Sequence, residues 1–126
     1  MSLTPDRNLA AIMFTDIVGY SSLMTKDESK AVTNIKKKDS ILKPLISVHN
    51  GHYVKNMGDG SLSYFNSAID AVRCAKILQK SFLENNEIKI RVGIHLGDII
   101  LENEDIFGDG VNIASRLESM AMESTI

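Results

Sequence analysis

Ala11-Ile12-Met13-Phe14-Thr15-Asp16-Ile17-Val18-Gly19-Tyr20 and Lys55-Asn56-Met57-Gly58-Asp59-Gly60 are the stretches on which the reading of this chain turns. In each, a strand-like run ends on an aspartate with glycine close by. A carboxylate closing a run that is to be buried is costly unless its charge is compensated. A divalent cation held by hard oxygen ligands is an economical compensation. Paired carboxylates at a sheet edge, beside backbone that can approach a phosphate, point to metal-assisted chemistry on a nucleotide. Taken alone, Asp59 reads as simple hairpin-turn chemistry, so the two segments carry weight only together.

Working outward, Leu9 to Phe14 is almost wholly apolar and suits a strand covered on both faces. Gly19 permits a tight path and leaves N–H groups free to face an anion. Ser21 or Ser22 can cap the helix predicted over 27–49, whose stripe is Ala31, Ile35, Leu42, Leu45, Ile46 and His49. Pro44 is expected to kink or divide that helix, and Asn50-Gly51 to stop it. Lys36-Lys37-Lys38 reads as a solvated helix face. His49 and His52 lack metal-ligand spacing and read as structural. Strands follow over 51–57 and 61–65, then an amphipathic helix over 67–82 with Ala68, Ala71, Val72, Ala75, Leu78 and Phe82 inward. Residues 88–95 alternate as a strand that 98–101 continues or pairs with across Gly97; a polar turn at 102–104 leads to 105–108. The last helix spans 110–122, with Ile113, Ala114, Leu117, Met120 and Ala121 as the expected buried stripe. Asn112 and Arg116, four apart, share another side, as a solvated flank or as a polar pair aimed at a ligand or partner chain. The order β, α, β, β, α, β, β, α predicts a ferredoxin-like α+β layer, helices on one face of a mainly antiparallel sheet.

The bulk numbers agree with one soluble domain. The chain has 126 residues, 44% hydrophobic and 24% charged, with net charge -2. Interleaved charges argue against a nucleic-acid surface. The single cysteine, Cys74, cannot close an internal disulfide and reads as packing in a cytoplasmic protein. No apolar run approaches a membrane span, and no signal peptide is read. Residues 1–7 read as a polar, disordered tail opened by a tag-like Met1-Ser2-Leu3, ahead of a domain over 8–126.

Four collinear blocks resemble the catalytic domain of the class III nucleotide cyclases, of the bacterial adenylate cyclase type. Phe14-Thr15-Asp16-Ile17-Val18-Gly19-Tyr20-Ser21 resembles the opening metal motif, and Lys55 to Gly60 the second. Arg91-Val92-Gly93-Ile94-His95-Leu96-Gly97-Asp98 resembles the central strand and turn. Asp105 through Glu118 resembles the dimer-arm and catalytic-helix motif. The resemblance implies that Asp16 and Asp59, with the Ile17 carbonyl, hold two Mg²⁺ or Mn²⁺ ions, while Gly19 and Tyr20 face the phosphates. It implies that Lys55 and Asp105 read the purine, Asn112 orients the ribose and Arg116 stabilises phosphate charge in the transition state. A donating lysine and an accepting aspartate match adenine rather than guanine, so the implied reaction is ATP to 3′,5′-cyclic AMP and pyrophosphate. It also implies a homodimer whose two sites are shared between chains, and regulatory domains for signal transduction outside this segment. The family's domain continues with further strands and a lysine that grips the triphosphate. The expectation is therefore a fold lacking its C-terminal strands, with weak or no turnover. The competing expectations are a catalytically silent, cyclase-like binding or regulatory module and a guanylate cyclase. A diguanylate cyclase is discounted because its Gly-Gly-acidic hairpin is absent.

Overall fold

The computed structural model describes residues 7–85, 88–121 and 126. Along the chain run β1 (Arg7–Ile17), α1 (Tyr20–Lys26), α2 (Glu28–Val48), β2 (Gly51–Met57), β3 (Gly60–Phe65), α3 (Ala68–Asn85), β4 (Ile90–Glu102), β5 (Asp105–Phe107) and α4 (Asp109–Met120). The strands form one sheet in the order β2-β3-β1-β4-β5, and every neighbouring pair is antiparallel. The expected antiparallel α+β layer is what the chain builds. Residues 1–6 and the expected helix end at Met122 lie outside the described residues; Arg7, read as tail, opens β1.

β1 is apolar at its centre because it is covered on both faces. Ala11, Met13 and Ile17 face Leu42 and Ile46 of α2 and Ala71, Leu78 and Phe82 of α3. Ala10, Ile12 and Phe14 face the other way, toward Leu62, Ile99, Ile106 and Ala114 of α4. Helices therefore lie on both faces, not one. Gly93 on β4 lets α4 lie flush: a Cβ there would stand 2.3 Å from the Glu118 amide nitrogen and 2.7 Å from the Ala114 carbonyl oxygen.

That close approach also overturns the expected α4 stripe. The buried positions are Gly110, Ala114 and Glu118, whereas Ile113, Leu117 and Met120 are exposed. Small residues face a sheet met at backbone distance, and the larger apolar side chains are displaced outward. In α3, Ala68 and Val72 are exposed, and Cys74 and Gln79 take inward positions. Pro44 does not divide α2: Leu42 and Ile46 on either side are buried, and their packing offsets the lost hydrogen bond. The cap of α2 is Asp27, whose side chain accepts from the Lys30 amide at 3.1 Å; Ser21 and Ser22 lie inside α1. Lys38 is not solvated but buried at the centre of the α2 stripe.

Two tight turns set the site. The β2–β3 turn has Gly58 at φ 66°, the left-handed geometry that a two-residue hairpin requires at its first position. The β4–β5 turn, Asn103-Glu104, has φ of 52° and 64°, with a glutamate where glycine or asparagine is usual.

Candidate active site

Asp16 ends β1 one residue early, and Asp59 is the second residue of the β2–β3 turn. The register Thr15↔Ser61 lays that turn against the end of β1, and the two buried hydroxyls hydrogen-bond there. The Ile17 amide then donates to Asp59 Oδ2 at 3.0 Å, and Lys38 Nζ donates to the Asp59 carbonyl oxygen at 2.8 Å. Asp16, Ile17, Gly19, Tyr20 and Asp59 line one cavity of about 350 Å³, together with Ser21, Ser22 and Arg91.

Arg91 sits opposite Asp16 in the β1–β4 register. Its Nε donates to Asp16 Oδ1 at 3.0 Å and its Nη2 to Oδ2 at 2.6 Å, a two-point fork that fixes the carboxylate plane. Glu118 reaches the same guanidinium from the buried face of α4, with Oε1 3.4 Å from Nε and no hydrogen bond to that oxygen. Burial, and next the hydrogen bond and charge of Asp16, push the Glu118 carboxyl up to about 8. One guanidinium thus serves Asp16, Glu118 and, at longer range, Asp59.

This donor set fits a hard divalent cation. Asp16 and Asp59 would supply carboxylates and Ile17 a main-chain oxygen, all three lining the same cavity. A carboxylate has about four lone-pair positions, so the fork of Arg91 leaves Asp16 able to ligate. Among the described residues no group of three or more His, Cys, Asp or Glu side chains is set to hold a metal. A cation here would draw its remaining ligands from water and substrate, the usual habit of Mg²⁺ at phosphates.

The other expected residues lie elsewhere. β2 and β5 are opposite edges of the sheet, yet Lys55 Nζ meets Asp105 Oδ2 at 2.9 Å, so the sheet curls until its edges touch. That hydrogen bond, assisted by one from the Ile106 amide to Oδ1, holds the Asp105 carboxyl below its ordinary range. Asn112 and Arg116 are exposed on α4 and line no part of the Asp16 cavity. Arg116 is two residues from Glu118, about 200° around the helix, and Asn112 about 240°. The face of α4 that carries them looks away from Asp16.

Three residues at this site have no role in the sequence reading: Arg91, Glu118 and Lys38. Arg91 and Glu118 fall inside quoted motifs, but only strand register and helix docking bring them to Asp16. The available signal for Lys38 was its place on the Ala31–Leu42–Ile46 stripe.

With this geometry in hand, the relatives agree. The family model for the adenylate and guanylate cyclase catalytic domain matches residues 4–126. The chain belongs to that family and is a class III nucleotide cyclase catalytic domain. A Rhizobium meliloti (strain 1021) protein provisionally named adenylate cyclase 3 is 45% identical over 123 residues, covering 91% of this chain and 21% of its own length. An adenylate cyclase of Streptomyces coelicolor is 30% identical, covering 96% and 32%. The crystal structure of an adenylate/guanylate cyclase/hydrolase from Silicibacter pomeroyi superposes with a TM-score of 0.88 at 38% identity, over 96% of this chain and 75% of that one. The chain thus spans a third or less of these two curated relatives.

Proposed function

We propose that this domain is the catalytic part of an adenylate cyclase, converting ATP to 3′,5′-cyclic AMP and pyrophosphate at two equivalent sites shared between two copies of the chain. The observation that carries the reading is the Lys55–Asp105 pair, a donor and an acceptor held side by side. Adenine offers an acceptor ring nitrogen beside an amine donor; guanine offers the reverse order, N–H beside a carbonyl oxygen. An ammonium only donates and a carboxylate only accepts, so the pair favours ATP.

In this mechanism Asp16, Asp59 and the Ile17 carbonyl would hold two divalent cations, Mg²⁺ or Mn²⁺. Bound there, they would supply Lewis acidity toward the phosphates and the attacking hydroxyl. Arg91 keeps the Asp16 carboxylate in plane. Gly19 and Tyr20 line the phosphate side of the cavity. Asn112 orients the ribose, so that its 3′-oxygen attacks the α-phosphorus in line with departing pyrophosphate. The new bond is O3′–Pα, the broken one joins Pα to the pyrophosphate oxygen, and the hydroxyl proton leaves to solvent. Arg116 stabilises the charge that develops on the phosphates. Because Asn112 and Arg116 face away from their own Asp16, a second copy supplies them. That makes a symmetric homodimer the working unit. No described helix is long and apolar enough to cross a membrane; the reaction is proposed for the cytoplasm, where ATP is made, with regulatory segments outside this chain.

The test is product formation by the full-length protein in Mn²⁺. Cyclic AMP from ATP should exceed cyclic GMP from GTP at least about tenfold, the worth of one misdirected hydrogen bond. Asp16→Ala should abolish both. Equal use of the two nucleotides would remove the adenylate assignment, and full activity in Asp16→Ala would remove the metal site.

A further inference from the structure

Lys38 is the one described lysine sealed inside the fold, at 1% exposure. It stands on α2 between Asn34 and Leu42, among residues that pack α2 down. A buried ammonium is costly unless paired, and a methionine would fill the same space at lower cost. The ammonium is spent on two partners. It donates to the Asp59 carbonyl oxygen at 2.8 Å, and Asp39 Oδ1 lies 3.4 Å away. Asp39 Oδ2 in turn accepts from Asn56 Nδ2 at 3.0 Å, and the Asn56 amide oxygen accepts from Tyr53. A chain of polar contacts therefore runs from β2, through α2, to the main chain of the turn that carries Asp59.

Asp59 is then held at two points. Its carboxylate takes the Ile17 amide, and its carbonyl takes Lys38. The first tether alone leaves the peptide free to swing about a turn whose first residue is glycine. The second comes from a helix anchored in the core. We propose that Lys38 is a positioning residue for the proposed metal site: it fixes the peptide of Asp59, and through it holds the carboxylate in the cavity it shares with Asp16. The inference rests on the metal reading of Asp16 and Asp59.

Its sign sets it apart from plain electrostatics. Removing a positive charge behind a cation site strengthens cation binding if charge alone acts. Loss of positioning weakens it, typically about tenfold or more for a residue behind a ligand. The experiment compares Mn²⁺ binding, read by electron paramagnetic resonance of the free ion with α,β-methylene-ATP present. It uses the full-length protein and its Lys38→Met, Lys38→Arg, Lys36→Met and Asp59→Ala variants. Lys36 is an exposed control. Circular dichroism checks each fold. The proposal predicts affinity lowered about tenfold in Lys38→Met, and restored to within about threefold by Lys38→Arg, which keeps donor and charge. It predicts no change in Lys36→Met. Unchanged or tighter binding in Lys38→Met overturns it. Should Lys38→Met not fold, Lys38→Gln, a neutral donor of shorter reach, is read by the same two outcomes. A wild type that binds Mn²⁺ no better than Asp59→Ala defeats the metal reading itself, a result distinct from failure at Lys38 alone.

Discussion

Asp16 is held by Arg91 at both of its oxygens, and Glu118 crowds the same guanidinium. Burial, and next the hydrogen bond and charge of Asp16, raise the Glu118 pKa against the opposing charge of Arg91. The consequence for stability has a definite sign. In the unfolded chain Glu118 loses its proton near the ordinary value of 4.5; in the folded chain it keeps it to about 8. Between those values the native state binds more protons than the unfolded state, so stability falls as pH rises. Glu118→Gln removes that titration, and its urea midpoint should change less than that of the wild type between about pH 5 and pH 8. An unchanged pH slope would mean that Glu118 is not the group responsible. Cys74 behaves oppositely to a reactive thiol: burial raises it to about 12, so almost none is thiolate near neutrality. Labelling of Cys74 by a thiol reagent should track global unfolding and show no fast phase; rapid labelling of native protein would contradict its burial.

At the scale of elements, the decisive contact is α4 on β4, and glycine makes it possible. Gly93→Ala places a methyl group against the backbone of Ala114 and Glu118, where neither can yield like a side chain. It should cost at least about 1–3 kcal/mol by chemical denaturation and shift Glu118 away from Arg91; a substitution without effect would show that α4 docks less closely. The same contact explains where sequence reading stopped. The antiparallel layer and most of the element order were legible, since strands and helices differ in apolar period and Gly58 and Asn50 mark the stops; the short α1 was not expected. The inward face of α4 was not, because periodicity follows side-chain size, and here Gly110 and Ala114 face inward while Leu117 does not. Lys38 failed for a related reason: lysines read as solvated unless a buried acceptor is known, and the carbonyl of Asp59 comes from a turn 21 residues on. The carboxylate pair and the Lys55–Asp105 pair were legible as residues in motifs. Their separate places, and the closing of one sheet edge onto the other, belong to register and curl, which no local pattern states.

The proposed reaction divides its residues into two groups, and Asn112 and Arg116 line no part of the Asp16 cavity. In that proposal one group is the cavity around Asp16 and Asp59, and the other comprises the Lys55–Asp105 pair and, on the exposed face of α4, Asn112 and Arg116. That face also exposes Ile113, Leu117 and Met120, apolar area suited to burial against another chain. If two copies join so that each completes the other, a monomer is inactive for geometric reasons, and dilution below the dimer dissociation constant should abolish activity faster than linearly. The central claim is most directly tested by mixing Asp16→Ala and Arg116→Ala versions of the full-length protein, each inactive alone, and measuring cyclic AMP formation. Shared sites predict that half of the dimers are mixed, each with one intact site of two, so activity should return to about a quarter of the wild-type level. A mixture that stays as inactive as either variant, while forming mixed dimers, would contradict the account.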